Sequence, residues 1–503
     1  MPAAVEESYA DLKTRLARVV DLSRIARVIS WDQQVMMPPG GSQPRAEQLA
    51  TLGRTIQEEF ISDEVGQLLE ELRPHGESLP YDSDEASLVR VALRDYEKAR
   101  RVPPELAAEL ARAGSLGQQV WVEARAENDF AKLLPALERN LELKRQYIDC
   151  FDPADEPYDI LLDDFEYAMT AAEVRAVFDR LKEELVPLIK AVADAPPVDE
   201  SCLSGPFPVE RQEEALLAIL RPLGFDDTQW RLDPTAHPFA SYSGLTDIRI
   251  TTRYLEGSLM ALFAGIHEFG HGLYEHQSAP ELDRTVLSGG VSLGLHESQS
   301  RLWENLVGRG RPFWRRYYGQ FQSAFPDVLA DVDGDAFYRA VNRIRPSLIR
   351  VEADQVTYNM HVILRFELEQ DILAGNVELR DLPEAWNARM DEYLGIDVPD
   401  DARGVLQDVH WSAGVIGYFP TYSLGNVMSV QIWEAVRRDL PDLDDRVEAG
   451  DFAPLRDWLR DRIHRHGRKF TPQETLERCT GSTIDPEPYL RYLKDKVAEL
   501  YGV

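Results

Sequence analysis

The segment LFAGIHEFGHGLYEH, Leu262–His276, sets two imidazoles and a carboxylate into an apolar stretch. His267 and His271 are four residues apart, so on a helix they stack on one face with Glu268 beside them. This HExxH spacing lets both rings meet one metal ion while the intervening carboxylate faces a water it can deprotonate. Among Leu259, Leu262, Phe263, Ile266, Phe269 and Leu273 such polar groups are costly unless each has a partner. Gly265, Gly270 and Gly272 weaken helix propensity in the same segment, which close approach of a neighbouring helix or a substrate would explain.

A catalytic zinc site takes three protein ligands and leaves one position for water. Glu297 is the candidate third ligand, because SLGLHESQSRLWENLVG reads as a second helix after the turn at Ser288–Gly290 and an adjoining antiparallel helix can bring a carboxylate to the metal. His296 competes for that role, whereas Glu304 would point at a different height.

Helices must carry these groups. EESYADLKTRLARVVDLSRIARVISWD, AAEVRAVFDRLKEELVPLIKAVADA and ADQVTYNMHVILRFELEQDILAG all repeat apolar residues at three- and four-residue steps. The expected class is mainly α, with a small β-sheet beside the active centre where Asp247, Ile248, Arg249, Ile250 and Thr251 alternate. Proline and glycine break the pattern at Met36–Arg45, Asp194–Pro208 and Gly395–Gly404, and none of these reads as a flexible linker. The length of 503 residues alone would suggest about three domains. With no internal repeat, the expectation is one catalytic body over 1–503, comprising a helical N-terminal portion to about 200 and a zinc-binding portion over about 201–503.

The net charge of -32 argues against nucleic-acid and anionic-membrane partners. It is read as solubility, the alternative being a cleft that attracts cationic substrates. Cys150, Cys202 and Cys479 are odd in number and lack CxxC spacing, and no stretch is apolar enough for a membrane span, so a cytoplasmic protein is expected. No phosphate-binding GxxxxGK[ST] is present, and DLPDLDDRVEAGD lacks the spacing of a calcium loop.

Six motifs extend the pattern across the chain: HPF at His237, DIRIT at Asp247, HEFGH at His267, HESQ at His296, IRVEAD at Ile349 and GVLQDVHW at Gly404. With SWDQQVMMPPGG near the start, the sequence resembles the carboxypeptidase Taq family of metallocarboxypeptidases. The resemblance implies a large helical zinc-peptidase fold with a deep groove, commonly a homodimer, that removes C-terminal residues from peptides with broad preference. It implies Zn2+, with Co2+ as a possible substitute, and the same metal ligands His267, His271 and Glu297 with Glu268 as general base.

The remaining roles are argued from chemical need. A tetrahedral oxyanion calls for hydrogen-bond donors, and HWSAGVIGYFPTYSLGN supplies His410, Tyr418 and Tyr422 without choosing between the tyrosines. A free C-terminal carboxylate is best matched by a guanidinium. Arg350 is the first choice, its alternative being an ion pair with Glu352, Asp354 or another helix. Arg249 is the second, suited also to shaping the sheet edge or holding a nearby carboxylate. His237 either binds substrate or supports a ligand from behind. His75, His464 and His466 are read as solvated and His361 as packed. An oligopeptidase cutting internally and a noncatalytic peptide-binding protein with a vestigial metal site are the rival readings.

Overall fold

The computed structural model describes residues 3–154 and 156–503, is 69% helical, and contains one three-stranded sheet among those residues. The mainly α class expected from periodicity is therefore the observed one. Four helices of the N-terminal portion matter for the site: α1 (Ala3–Val35), α2 (Pro104–Glu127), α3 (Phe130–Ile148) and α4 (Ala171–Asp194). Helices α2 and α3 form a hairpin. Its turn is set by Asn128 in the left-handed region at φ 55° and by Asp129, whose carboxylate accepts from the Lys132 N–H at 3.2 Å.

The sheet comprises β1 (Trp230–Pro234), β2 (Ala240–Gly244) and β3 (Asp247–Thr252) in the order β1-β3-β2. β3 runs parallel to β1, with Trp230 opposite Ile248, and antiparallel to β2, with Ala240 opposite Ile250. Alternation along β3 buries Ile248 and Ile250 and sends Asp247 and Arg249 to the other face. Of these strands, β1 carried no signal in the sequence reading, since WRLDP is short and mixed.

The sheet leads into α5 (Met260–His276), which bears the HExxH motif, and then into α6 (Leu293–Arg301), started by Ser292 accepting from the Leu295 N–H at 3.1 Å. Beyond Arg301 the helix widens to a π-helical stretch over Leu302–Val307. Of the later helices, two bear on the site: α7 (Tyr358–Ala374) and α8 (Pro420–Asp439).

One continuous core runs from Ala124 to Leu500 and includes Leu181 and Leu185 of α4 together with Ile266 and Phe269 of α5. A smaller core gathers Leu12, Leu16, Leu69 and Leu88 with Leu282 and Leu287. Packing is therefore unbroken at residue 200, and the N-terminal helices are tied to the segment after α5. Among the described residues no helix is long and apolar enough to cross a membrane.

Candidate active site

The apolar side of α5 buries Leu262, Ile266, Phe269 and Leu273, which turns His267 and His271 towards a groove of about 1370 Å³. A Cβ on Gly270 would stand 2.6 Å from the Gln299 carbonyl oxygen and from Ser300 Cα, so only glycine lets α5 and α6 cross this closely. On the far side of α6, a Cβ on Gly425 of α8 would lie 2.6 Å from Glu297 Cβ. The neighbouring-helix explanation for the glycines of the motif thus holds at Gly270, and Glu297 is pinned between two helices.

Nε2 of His267 and of His271 lie 3.5 and 3.3 Å from Glu297 Oε2, and one ligand atom from each of the three falls within 4.8 Å of the others. The other oxygen of Glu297 accepts from Arg301 Nε at 2.7 Å, and Oε2, which also accepts from Ser300 Oγ at 3.0 Å, faces the imidazoles. His267 Nδ1 lies 2.9 Å from Glu304 Oε2, and His271 Nδ1 lies 2.6 Å from His296 Nδ1. His296 therefore stands behind His271, while Glu297 Oε2 faces both imidazoles. Glu304 meets the same face from about two helical turns beyond Glu297, behind His267.

Burial works against charge on Glu297, but Arg301 and His267 outweigh it and hold the carboxyl well below its usual range. Burial pushes Glu268 up to about 7 and His271 down to about 4. Burial also opposes charge on His267, yet Glu297 and Glu304 carry that ring up to about 10.

His410, Tyr418 and Tyr422 line the same groove as the HExxH face. The Tyr422 hydroxyl is 3.4 Å from His410 Nε2, while His410 Nδ1 is buried with no hydrogen-bond partner among the described residues, 3.9 Å from Asp408. Burial keeps His410 neutral, down to about 4. The loop bearing His410 is seated from several sides. Trp121 of α2 donates to the Leu406 carbonyl at 2.8 Å, and Asn140 of α3 donates to the Ser412 carbonyl at 2.8 Å. Glu369 of α7 accepts from Trp411 Nε1 at 2.7 Å and from the Gly417 N–H at 3.0 Å.

Arg350 is 5% exposed and lines the groove, and its ion pair is with Asp408 rather than Glu352 or Asp354: Nη2 to Oδ1 is 2.8 Å, and Nη1 donates to the Tyr358 hydroxyl at 2.9 Å. Arg249 is not among the residues lining the groove; it holds Asp247 at 2.8 Å, as the carboxylate-holding alternative expected, and packs over Trp31 of α1. His237 is exposed on the groove wall and is not one of the groups behind the imidazoles. His464, expected to be solvated, is buried between Gln277 at 2.7 Å and Gln299 at 2.9 Å; its basic sequence neighbours were misleading.

Despite the net charge of -32, the groove is lined by seven arginines and seven carboxylates, which argues against an acidic trap for cationic substrates. Sequence reasoning weighed Glu304 only as a ligand, not as a partner for His267, and missed Asp408, Glu369 and Asn140. For Asp408 a signal was present, since it lies inside GVLQDVHW two residues before His410.

The sequence matches the carboxypeptidase Taq (M32) metallopeptidase family over residues 11–497. It is 41% identical to thermostable carboxypeptidase 1 of Thermus thermophilus, covering 99% of both chains, and 38% identical to carboxypeptidase 1 of Bacillus subtilis, covering 99% of this chain and 98% of that one. The fold superposes on an M32 carboxypeptidase from Deinococcus radiodurans R1 with a TM-score of 0.96 at 40% identity, over 99% of this chain and 100% of that chain. Full-length similarity in sequence and in fold, around a groove where two imidazoles and a carboxylate converge, makes the chain a member of the carboxypeptidase Taq (M32) family of metallocarboxypeptidases.

Proposed function

We propose that this chain removes residues from the free C-terminus of peptides with broad preference, using Zn2+ held by His267, His271 and Glu297. The observation that carries this reading is the convergence of those three ligand atoms within 4.8 Å beside the buried carboxylate of Glu268. Two imidazole nitrogens and one carboxylate oxygen form a donor set that suits zinc, and Co2+ is the expected substitute. When bound, the ion would supply Lewis acidity that polarises the scissile carbonyl and acidifies water.

Glu268, whose burial raises its basicity, takes the proton from the attacking water and returns it to the leaving amine. Neutral His410 and the Tyr422 hydroxyl donate to the oxyanion, with Tyr418 packed beside them. The hydrogen bonds of Arg350 to Asp408 and Tyr358 occupy three of its five N–H groups, and the remaining two serve the C-terminal carboxylate. Arg253, exposed on the same groove and with no carboxylate partner among the described residues, is the second arginine for that role, and His237 contacts the peptide.

The test follows free and C-terminally amidated peptides by mass spectrometry, with metal-loaded and chelator-treated enzyme. Stepwise loss from the free end, blocked by amidation and by chelation, is the expected result. Internal cuts in both peptides would instead make the chain an oligopeptidase, and peptide binding without cleavage would make it a noncatalytic binder. The homodimer and the cytoplasmic location stand as proposals with their own measurements, light scattering in solution and cell fractionation.

A further inference from the structure

The two imidazoles of α5 are supported differently. Nδ1 of His267 meets a carboxylate directly, Glu304 Oε2 at 2.9 Å. Nδ1 of His271 meets another imidazole, His296 Nδ1 at 2.6 Å, and the far nitrogen of His296, Nε2, lies 2.8 Å from Glu275 Oε1.

Two ring nitrogens share a hydrogen bond only when one carries a proton and the other does not. To face Glu297 and a metal, His271 must leave Nε2 bare, so its proton sits on Nδ1 and is donated to His296 Nδ1. His296 must then carry its own proton on Nε2 and donate it to Glu275. Each proton in the chain is assigned by the one before it.

The surroundings hold this arrangement. Glu275 is 4% exposed, and its Oε1 also accepts from the Gly290 N–H at 3.1 Å. Its Oε2 is buried with no partner among the described residues, at the wall of a side chamber of about 450 Å³ that Arg27 of α1 and Tyr242 also line.

We propose that His296 and Glu275 form a positioning relay for His271, the neutral His296 ring passing the pull of the Glu275 carboxylate to a metal ligand, a role that rests on reading His267, His271 and Glu297 as the metal site. The ring of His271 is thereby oriented and made a better donor through an intermediary, whereas His267 receives the same support from Glu304 in one step.

Three variants separate the parts. Glu275→Gln keeps an acceptor for His296 Nε2–H and removes the charge, His296→Leu removes the relay, and Glu304→Gln is the matching change behind His267. Zinc affinity is measured by competition with a chromophoric chelator. Proton NMR of the cobalt-loaded protein then reads the solvent-exchangeable ring N–H signals of the two liganding imidazoles, which loss of packing alone would not single out. His296→Leu is expected to weaken zinc binding ~10–100-fold and to lose one of the two N–H signals to exchange, and Glu275→Gln to weaken binding ~10-fold with both signals retained. The melting temperature of the metal-free variants checks that folding is intact, and Glu275→Gln remains informative should His296→Leu fold poorly. Wild-type zinc affinity with both signals retained in His296→Leu and Glu275→Gln would overturn the relay. A wild-type protein that binds neither zinc nor cobalt stoichiometrically would overturn the metal-site reading itself.

Discussion

Arg350 and Asp408 form a buried ion pair at the groove wall, and the same carboxylate accepts from Arg365 Nη2 at 2.5 Å, so one aspartate two residues from His410 binds two guanidinium groups. Arg350→Gln is expected to lower kcat/KM for peptides with a free carboxyl end ~30–150-fold, chiefly through KM, the size of a lost charge-assisted hydrogen bond. The melting temperature should fall too, though Arg365 still compensates Asp408. An unchanged specificity constant would take Arg350 out of carboxylate recognition.

Glu268→Gln should cut kcat by ~10²–10⁴ while the protein keeps its full complement of zinc, because the amide cannot take a proton yet leaves the three ligand atoms in place. Steady-state kinetics with metal content measured on the same sample decides this, and an active variant would displace Glu268 as the base.

Of the two tyrosines, the hydroxyl of Tyr422 is the one beside His410. Tyr422→Phe is expected to lower kcat ~10²–10³ with little change in KM, as for loss of an oxyanion donor, and Tyr418→Phe to do much less. Kinetics of the paired variants with one substrate would show the roles exchanged if the larger loss fell on Tyr418.

Gly270→Ala places a methyl 2.6 Å from the backbone of Gln299 and Ser300, where only backbone movement relieves it. Destabilisation of about 1–3 kcal/mol is expected from overpacking, together with weaker zinc binding as Glu297 moves off the imidazoles. Denaturant unfolding and metal titration measure the two effects. Zinc affinity equal to wild type would mean that the helix crossing does not set the ligand spacing.

Burial pushes Glu369 up to about 7 even though Tyr158, Trp411 and the Gly417 N–H donate to it. With an ordinary value of 4.5 in the unfolded chain, the folded protein holds an extra proton between pH 4.5 and about 7. Its stabilising contribution is full below pH 4.5 and is lost as pH rises through about 7. Relative to Glu369→Gln, the wild type should lose stability over that window by up to roughly 1.4 kcal/mol per pH unit. Unfolding curves at pH 5, 6 and 7 (buffer values of about these settings) check the sign, and parallel curves for the two proteins would refute the shift.

Local patterns were legible in the sequence and long-range partners were not. The four-residue spacing of His267 and His271 and the alternation at Ile248 and Ile250 are properties of one helix and one strand, so they could be read directly. Alternation also carries Arg249 to the face that meets α1, which the sequence reading left open. Glu352 and Asp354 are near Arg350 in sequence, but a single turn over Arg350–Glu352 separates the side chains and the partner comes from residue 408. The support behind the imidazoles depends on how two helices cross, which no local pattern encodes.

The π-helical stretch makes residue count matter as well as residue type. Removing one residue between Leu302 and Glu304 would turn everything beyond it by roughly a quarter of a turn around the helix axis and carry the carboxylate away from His267. Volume-conserving apolar exchanges at Leu306 or Val307 that leave Glu304 in place should be tolerated, but a change of length should not. Relatives that share this support for His267 are therefore expected to vary there by substitution and not by insertion or deletion.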